Sequence, residues 1–481
     1  MHSRCLKAAI AAAVLVAFIS PFQRDLFVGD ETKYGQVVRE MRITGHVFLP
    51  TLNGAPFTHK PPLHFWLVDL FTLPLGIYST WAFVLPSLLA FIFLLWLVWR
   101  MGGPLAAFVC ATSLMIWGSA QSARMDVSFT AFIVLGLWML QRDRPIASGV
   151  ALGIATLIKG PMAPVIGIVL FLLEWWQKRM RPRWAHAIGL LAMIVIPLLW
   201  FVPAMLLGGS GYTHEVIYKQ TLGRAIATWV HQAPPWFYVL HLPGSLFPWF
   251  FVAIAALRGA NRFYVNWIIA VLVPYSLMSS KLDVYMMAMI PAVALLIAEK
   301  VCGPTSVGHD RLKPVLTLWA NRLTIALFIV TIFFVARVPA YAKPLIISFA
   351  VAAAIALVVT WRSPIFSTIA VGIVPLVPLV CGALTLMPML NDIASTQRLI
   401  AAIEKQHVAP ESVALYTCPY LWARDMPREL ERVRYVGEDA GGATIVVTSR
   451  SHASEIASTL RNYKKVDQLQ MIGKWFDVYR R

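Results

Sequence analysis

The sequence predicts a mainly α-helical, polytopic membrane protein that carries a small α/β unit at its C-terminal end. Three observations predict it. Apolar runs of span length recur between Ala8 and Leu386, and several, such as 81–98, contain no Asp, Glu, Lys or Arg. Of 481 residues, 59% are hydrophobic and 13% charged, against about one quarter charged in soluble globular chains. Beyond Asn391 the apolar runs shorten to strand length.

Hydrocarbon offers the backbone no partner, so each long run is expected as a helix that satisfies its own N–H and C=O groups. About thirteen spans follow from hydropathy and basic ends. They fall at 8–20, 81–99, 104–120 and 127–140, at a run ending at 158, and at 161–176 and 187–207. The rest begin at 243, end at 279 and 300, and cover 315–336, 344–361 and 365–386. Residues 1–390 form the membrane part, with outer loops at 22–80 and 209–242, and residues 391–481 form the soluble α/β unit. Strands are expected at 412–416 and 443–447, and helices at 396–406 and 454–463.

The net charge of +18 would suggest nucleic acid in a soluble protein. Here the basic residues gather at alternate span ends, at Arg100, Arg142, Arg144, 178–183, Arg258, Arg262, 300–313 and Arg362. That is the positive-inside pattern, so nucleic acid is not an expected partner and membrane lipid is. Five scattered cysteines form neither a disulfide framework nor a zinc spacing. The first apolar stretch reads as an uncleaved helix with Arg4 and Lys7 in the cytoplasm.

The same parity sends six polar clusters to the outer side. They are Asp30-Glu31, His59-Lys60, Arg124 with Asp126, Lys159, the stretch around His231, and Lys281 with Asp283 and Tyr285. Ionisable groups at membrane depth are costly and are kept where they face a cavity or a partner. Arg124 and Asp126 are the candidates for an acceptor or cavity wall. A transporter or lipid flippase is the competing reading, and it would need charges on a path to both faces. After Gly29, the residues Tyr34, Val37, Val38 and Met41 recur at i, i+3, i+4 and i+7, one face of a helix lying in the interface. Asp30 stands at its start, as a functional acid or an N-cap. Pro61-Pro62 open a second helix, with Lys60 just ahead of it.

These segments carry a resemblance. Asp30-Glu31 precedes Arg39-Glu40-Met41 and Gly45, then Leu49-Pro50, Leu52-Asn53-Gly54, Pro56-Phe57, Lys60-Pro61-Pro62-Leu63 and Trp66. Leu157-Ile158-Lys159-Gly160-Pro161, the 231–238 stretch, Pro248-Trp249 and Ser280-Lys281 with Tyr285 follow. Together they resemble the ArnT-like and protein-O-mannosyltransferase-like glycosyltransferases of the GT-C fold. The resemblance implies an inverting enzyme of the bacterial inner membrane, with its site and C-terminal unit on the periplasmic side. It would move a sugar from a polyprenyl phosphate donor to lipid A, another glycan or a protein. By carry-over Asp30 is the general base, and Glu31 orients it or binds the acceptor. Lys60, Tyr285, Lys281 and Lys159 meet the donor phosphate. Similar enzymes of the aminoarabinose branch have Glu where this chain has His59, so His59 with His231 is the candidate zinc pair.

Overall fold

The computed structural model describes residues 2–223, 232–302, 312–330, 343–359, 366–375, 387–436 and 442–481. A described helix lies on every segment expected to span. The first ten helices are α1 (His2–Ala17), α2 (Ser20–Gln23), α3 (Asp30–Thr44), α4 (Leu63–Leu75), α5 (Thr80–Ala111), α6 (Leu114–Ala120), α7 (Asp126–Gln141), α8 (Pro145–Lys159), α9 (Met162–Trp176) and α10 (Trp184–His214). Later ones include Arg262–Leu277 and Ile290–Cys302. Among the described residues, four helices are long and apolar enough to cross a membrane alone, and seven more are shorter and apolar.

Two junctions differ from the expectation. The expected second and third spans meet inside α5 at a break at Gly103, where φ is 76°, a left-handed turn that glycine makes without a Cβ penalty. The span expected from Pro243 is a bent pair instead, Phe237–Ser245 and Phe250–Leu257, meeting at 111°.

α8 packs closely on both α7 and α10. A Cβ built on Gly149 would sit 2.0 Å from the Gly189 carbonyl oxygen. Small residues at such a crossing let backbones approach, which is how membrane helices gain contact without a hydrophobic driving force. This contact sets α8, whose last residue is Lys159.

In the C-terminal unit the strand order is β4-β3-β5-β7-β6. The strands are β3 (Val413–Tyr416), β4 (Arg434–Tyr435), β5 (Ile445–Ser449), β6 (Lys464–Met471) and β7 (Lys474–Arg480), after a small β1 (Thr51–Leu52) and β2 (Ala55–Pro56) hairpin. β3 runs parallel to β4 and β5, and β7 runs antiparallel to β5 and β6. The expected helices shorten to Gln397–Glu404 and Ala457–Leu460. The β6–β7 hairpin was not expected. Along β6 only Leu469 and Met471 are buried, so its sequence reads as polar loop.

The α/β unit is docked on α3. Trp422 is 1% exposed and belongs to the main helical core, where its ring lies 5.6 Å from that of Phe83. The face of α3 opposite Tyr34, Val37, Val38 and Met41 is therefore also covered, and Gly35, Gln36 and Arg39 are buried. The helix expected in the interface from periodicity is thus packed on both of its faces. A Cβ on Gly35 would lie 2.9 Å from Trp422 Cδ1 and 3.0 Å from Leu26 Cδ1. Gly35→Ala is accordingly expected to cost about 1–3 kcal/mol through overpacking. A thermal-denaturation series on the purified protein checks this, and an unchanged midpoint would contradict the docking.

Candidate active site

The acidic pair separates into two environments one residue apart. Gly29, with φ 120°, is the N-cap of α3, and no side chain caps it. Asp30 is thus the first helical residue rather than the capping one. Its side chain is 37% exposed, with Arg124 Nη2 at 3.5 Å and Lys33 Nζ at 3.4 Å. The two cations and the N-terminal end of α3 surround it.

Glu31 is 6% exposed. Its Oε1 accepts from Arg24 Nη2 at 3.0 Å and from the Ala123 N–H at 2.7 Å. Its Oε2 accepts from Arg24 Nη1 at 2.6 Å and from the Phe27 N–H at 2.8 Å. Arg24 Nη2 also donates to the Gln121 carbonyl at 2.5 Å. Of the two expected roles, orienting Asp30 or binding the acceptor, four donors on a buried carboxylate favour the first. Glu31 ties the start of α3 to the 121–124 loop, and that loop carries Arg124.

From Arg124 the group runs inward. Arg124 Nε donates to Asp126 Oδ2 at 2.9 Å, and Lys159 Nζ donates to Asp126 Oδ1. Asp126 is 3% exposed and is the buried counter-ion of both cations. It opens α7 while Lys159 ends α8, so each charge matches its helix dipole. Lys159 Nζ lies 4.9 Å from the centre of the Tyr285 ring and 5.5 Å from that of Phe129. Tyr285 in turn stacks on Tyr275 at 4.8 Å. Asp30, Arg124, Asp126, Lys159 and Tyr285 therefore form one continuous group drawn from four parts of the chain.

Lys281 is buried and donates to the Met278 carbonyl, closing the end of the preceding helix. Among the described residues no ion pair joins it to the group. Lys60 sits half-buried ahead of Pro62, the N-cap of α4. His231 lies outside the described residues, although its neighbour Gln232 bridges to Ser280 beside Lys281.

His59 is exposed and packs on Phe57 with ring centres 5.2 Å apart. It also lies within electrostatic reach of Glu215. Desolvation alone would raise the Glu215 carboxyl, but hydrogen bonds from Lys219 and Gln220, with the charges of Lys219 and His59, lower it. No three His, Cys, Asp or Glu side chains gather to hold a metal among the described residues. An imidazole and one carboxylate are fewer than the three or four ligands zinc takes, and His231, the other expected ligand, lies outside the described residues.

Tyr34 belongs to the site and was read only as part of an apolar face. It is 4% exposed. Burial raises its phenol well above the usual value, and the charges of Asp30 and Asp126 add to this against the opposing Arg124. It forms a neutral wall under the ionic group. Asp30 lies one helical turn before it, but Arg124 and Asp126 lie about ninety residues away, so its type is readable in the sequence and its role is not.

With the geometry in place, relatives can be compared. Residues 59–201 match the family of dolichyl-phosphate-mannose-protein mannosyltransferases. The structure superimposes on ArnT from Cupriavidus metallidurans bound to undecaprenyl phosphate with a TM-score of 0.76, covering 99% of this chain and 98% of that one at 19% identity. The chain has the GT-C fold of ArnT. The apo ArnT of the same organism gives a TM-score of 0.75. An undecaprenyl phosphate-alpha-4-amino-4-deoxy-L-arabinose arabinosyl transferase of Pectobacterium atrosepticum is 28% identical over 334 residues, 62% of this chain and 59% of that protein. One of Pseudomonas aeruginosa is 27% identical over 320 residues, 59% and 57% of the two chains. The match thus spans under two thirds of these ArnT relatives.

Proposed function

We propose that this protein is an inverting glycosyltransferase that moves a sugar from a polyprenyl phosphate donor, of the undecaprenyl type, to an acceptor on the outer side of the bacterial inner membrane. The observation that carries the reading is the continuous group from the half-exposed Asp30 to Lys159 and Tyr285, set in an ArnT-like fold. It offers a base at one end and a cation with a phenol at the other.

In this reading the Asp30 carboxylate takes the proton of an acceptor hydroxyl as its oxygen attacks the anomeric carbon. The bond from that carbon to the donor phosphate oxygen breaks, and its electron pair leaves on polyprenyl phosphate. One displacement inverts the anomeric configuration. The departing phosphate gains charge, which Lys159 and Lys60 stabilise, with Tyr285 donating from its hydroxyl. Arg124 holds Asp30 by an ion pair, and buried Asp126 fixes Arg124 and Lys159 in place. The acceptor is lipid A, another glycan or a protein, and the positive-inside pattern supports a periplasmic site.

Lys60→Ala tests the donor end. A lost charge-assisted contact to phosphate is worth about 1.5–3 kcal/mol, or roughly ten- to a hundredfold in donor KM. Titration of a polyprenyl phosphate sugar against the variant reads this, and an unchanged donor affinity would reject the assignment.

A further inference from the structure

The segment that leads into Asp30 is held by the far end of the chain. The Val28 N–H donates to the Ala394 carbonyl at 2.7 Å. The Asp25 N–H donates to Asn391 Oδ1 at 2.7 Å. The Asp25 carboxylate, 2% exposed, accepts from Gln397 Nε2 at 2.7 Å and from the Arg424 N–H at 3.2 Å. The Arg424 guanidinium reaches three backbone carbonyls within four residues. It donates to the carbonyls of Pro21 at 3.3 Å, Phe22 at 3.0 Å and Arg24 at 2.7 Å.

Arg24 is the pivot of this arrangement. Its carbonyl receives Arg424, and its guanidinium forms the two-pronged pair with Glu31. Glu31 in turn sets the spacing between Asp30 and the Arg124 loop. A chain of direct bonds thus runs from Arg424 through Arg24 to Glu31, the next residue along the chain from the proposed base. None of the contacts made by Arg424 reaches Lys60, Lys159 or Tyr285.

We propose that Arg424 is a positioning residue for Asp30, so that the C-terminal α/β unit is a working wall of the catalytic site rather than an appended module. The proposal rests on the reading of Asp30 as the base. A displacement of about 1 Å at a reacting group lowers rate steeply while leaving distant binding contacts intact. Arg424→Ala is therefore expected to lower kcat about 10- to 100-fold with the donor KM within about twofold. Gln397→Ala removes one bond to Asp25 and is expected to lower kcat about two- to tenfold in the same pattern.

The test is steady-state transfer by full-length purified variants in lipid nanodiscs, with each rate divided by the folded fraction from size-exclusion profiles. It is run in the wild-type and the Asp30→Asn backgrounds. Residues that act as a unit are non-additive, so Arg424→Ala should remove little further from the residual rate of Asp30→Asn. An equal fold-loss in both backgrounds would overturn the proposal and leave Arg424 as structural glue. Wild-type kcat in folded Arg424→Ala would overturn it as well. If Arg424→Ala does not fold, Gln397→Ala decides, and its unchanged kcat is the contrary result. Near-normal transfer by Asp30→Asn alone would instead sink the base assignment, which keeps the two failures apart.

Discussion

Asp30→Asn is expected to lower sugar transfer about 10²–10⁴-fold, to a small residual rate, while leaving the protein folded. General-base catalysis contributes about 10²–10⁴-fold, and the amide cannot accept the acceptor proton. The side chain is half-exposed, and its two ion pairs, to Arg124 at 3.5 Å and Lys33 at 3.4 Å, are long. Such exposed pairs are worth under about 1 kcal/mol. Asn keeps the shape and one acceptor oxygen, so helix α3 should form as before. The measurement is kcat for the purified variant beside its thermal midpoint. A rate within about tenfold of wild type at an unchanged midpoint would remove Asp30 from the chemistry.

Glu31→Gln is expected to do the reverse. The Arg24 guanidinium is 3% exposed and both its prongs end on Glu31. Removing one partner of a buried pair costs about 3–5 kcal/mol, because the other charge stays buried without compensation. The amide nitrogen of Gln would also meet either the Phe27 or the Ala123 N–H, donor against donor. Denaturation curves should therefore move strongly, while the molecules that remain folded keep Asp30 and some transfer. If Glu31→Gln were stable and inactive, the division of labour within the acidic pair would be reversed.

The helical framework was legible because span-length apolar runs have few other physical outcomes. Strands β3 and β5 were legible for a similar reason, being short apolar runs bounded by turns. The β6–β7 hairpin was not, since Lys464 to Gln468 form an edge segment with almost no buried side. Periodicity placed the buried stripe of Tyr34, Val37, Val38 and Met41 correctly. It could not foresee Trp422 on the opposite face, because the covering partner lies nearly four hundred residues away. Span parity brought Asp126 and Lys159 to one end of their helices, and the structure joins them directly. The fate of Glu31 was unreadable. Nothing local distinguishes an acid whose arginine precedes it by a loop from one facing a substrate.

The central claim is that the outer polar group breaks and remakes a glycosidic bond. The most direct measurement is to give the protein, reconstituted in vesicles, an isotopically labelled polyprenyl phosphate sugar with an extract of envelope acceptors, and to follow both products. Free polyprenyl phosphate and glycosylated acceptor are expected in equal amounts, with the anomeric configuration inverted. Intact lipid-linked sugar moved to the opposite leaflet, with no polyprenyl phosphate released, would contradict it and identify a transporter instead.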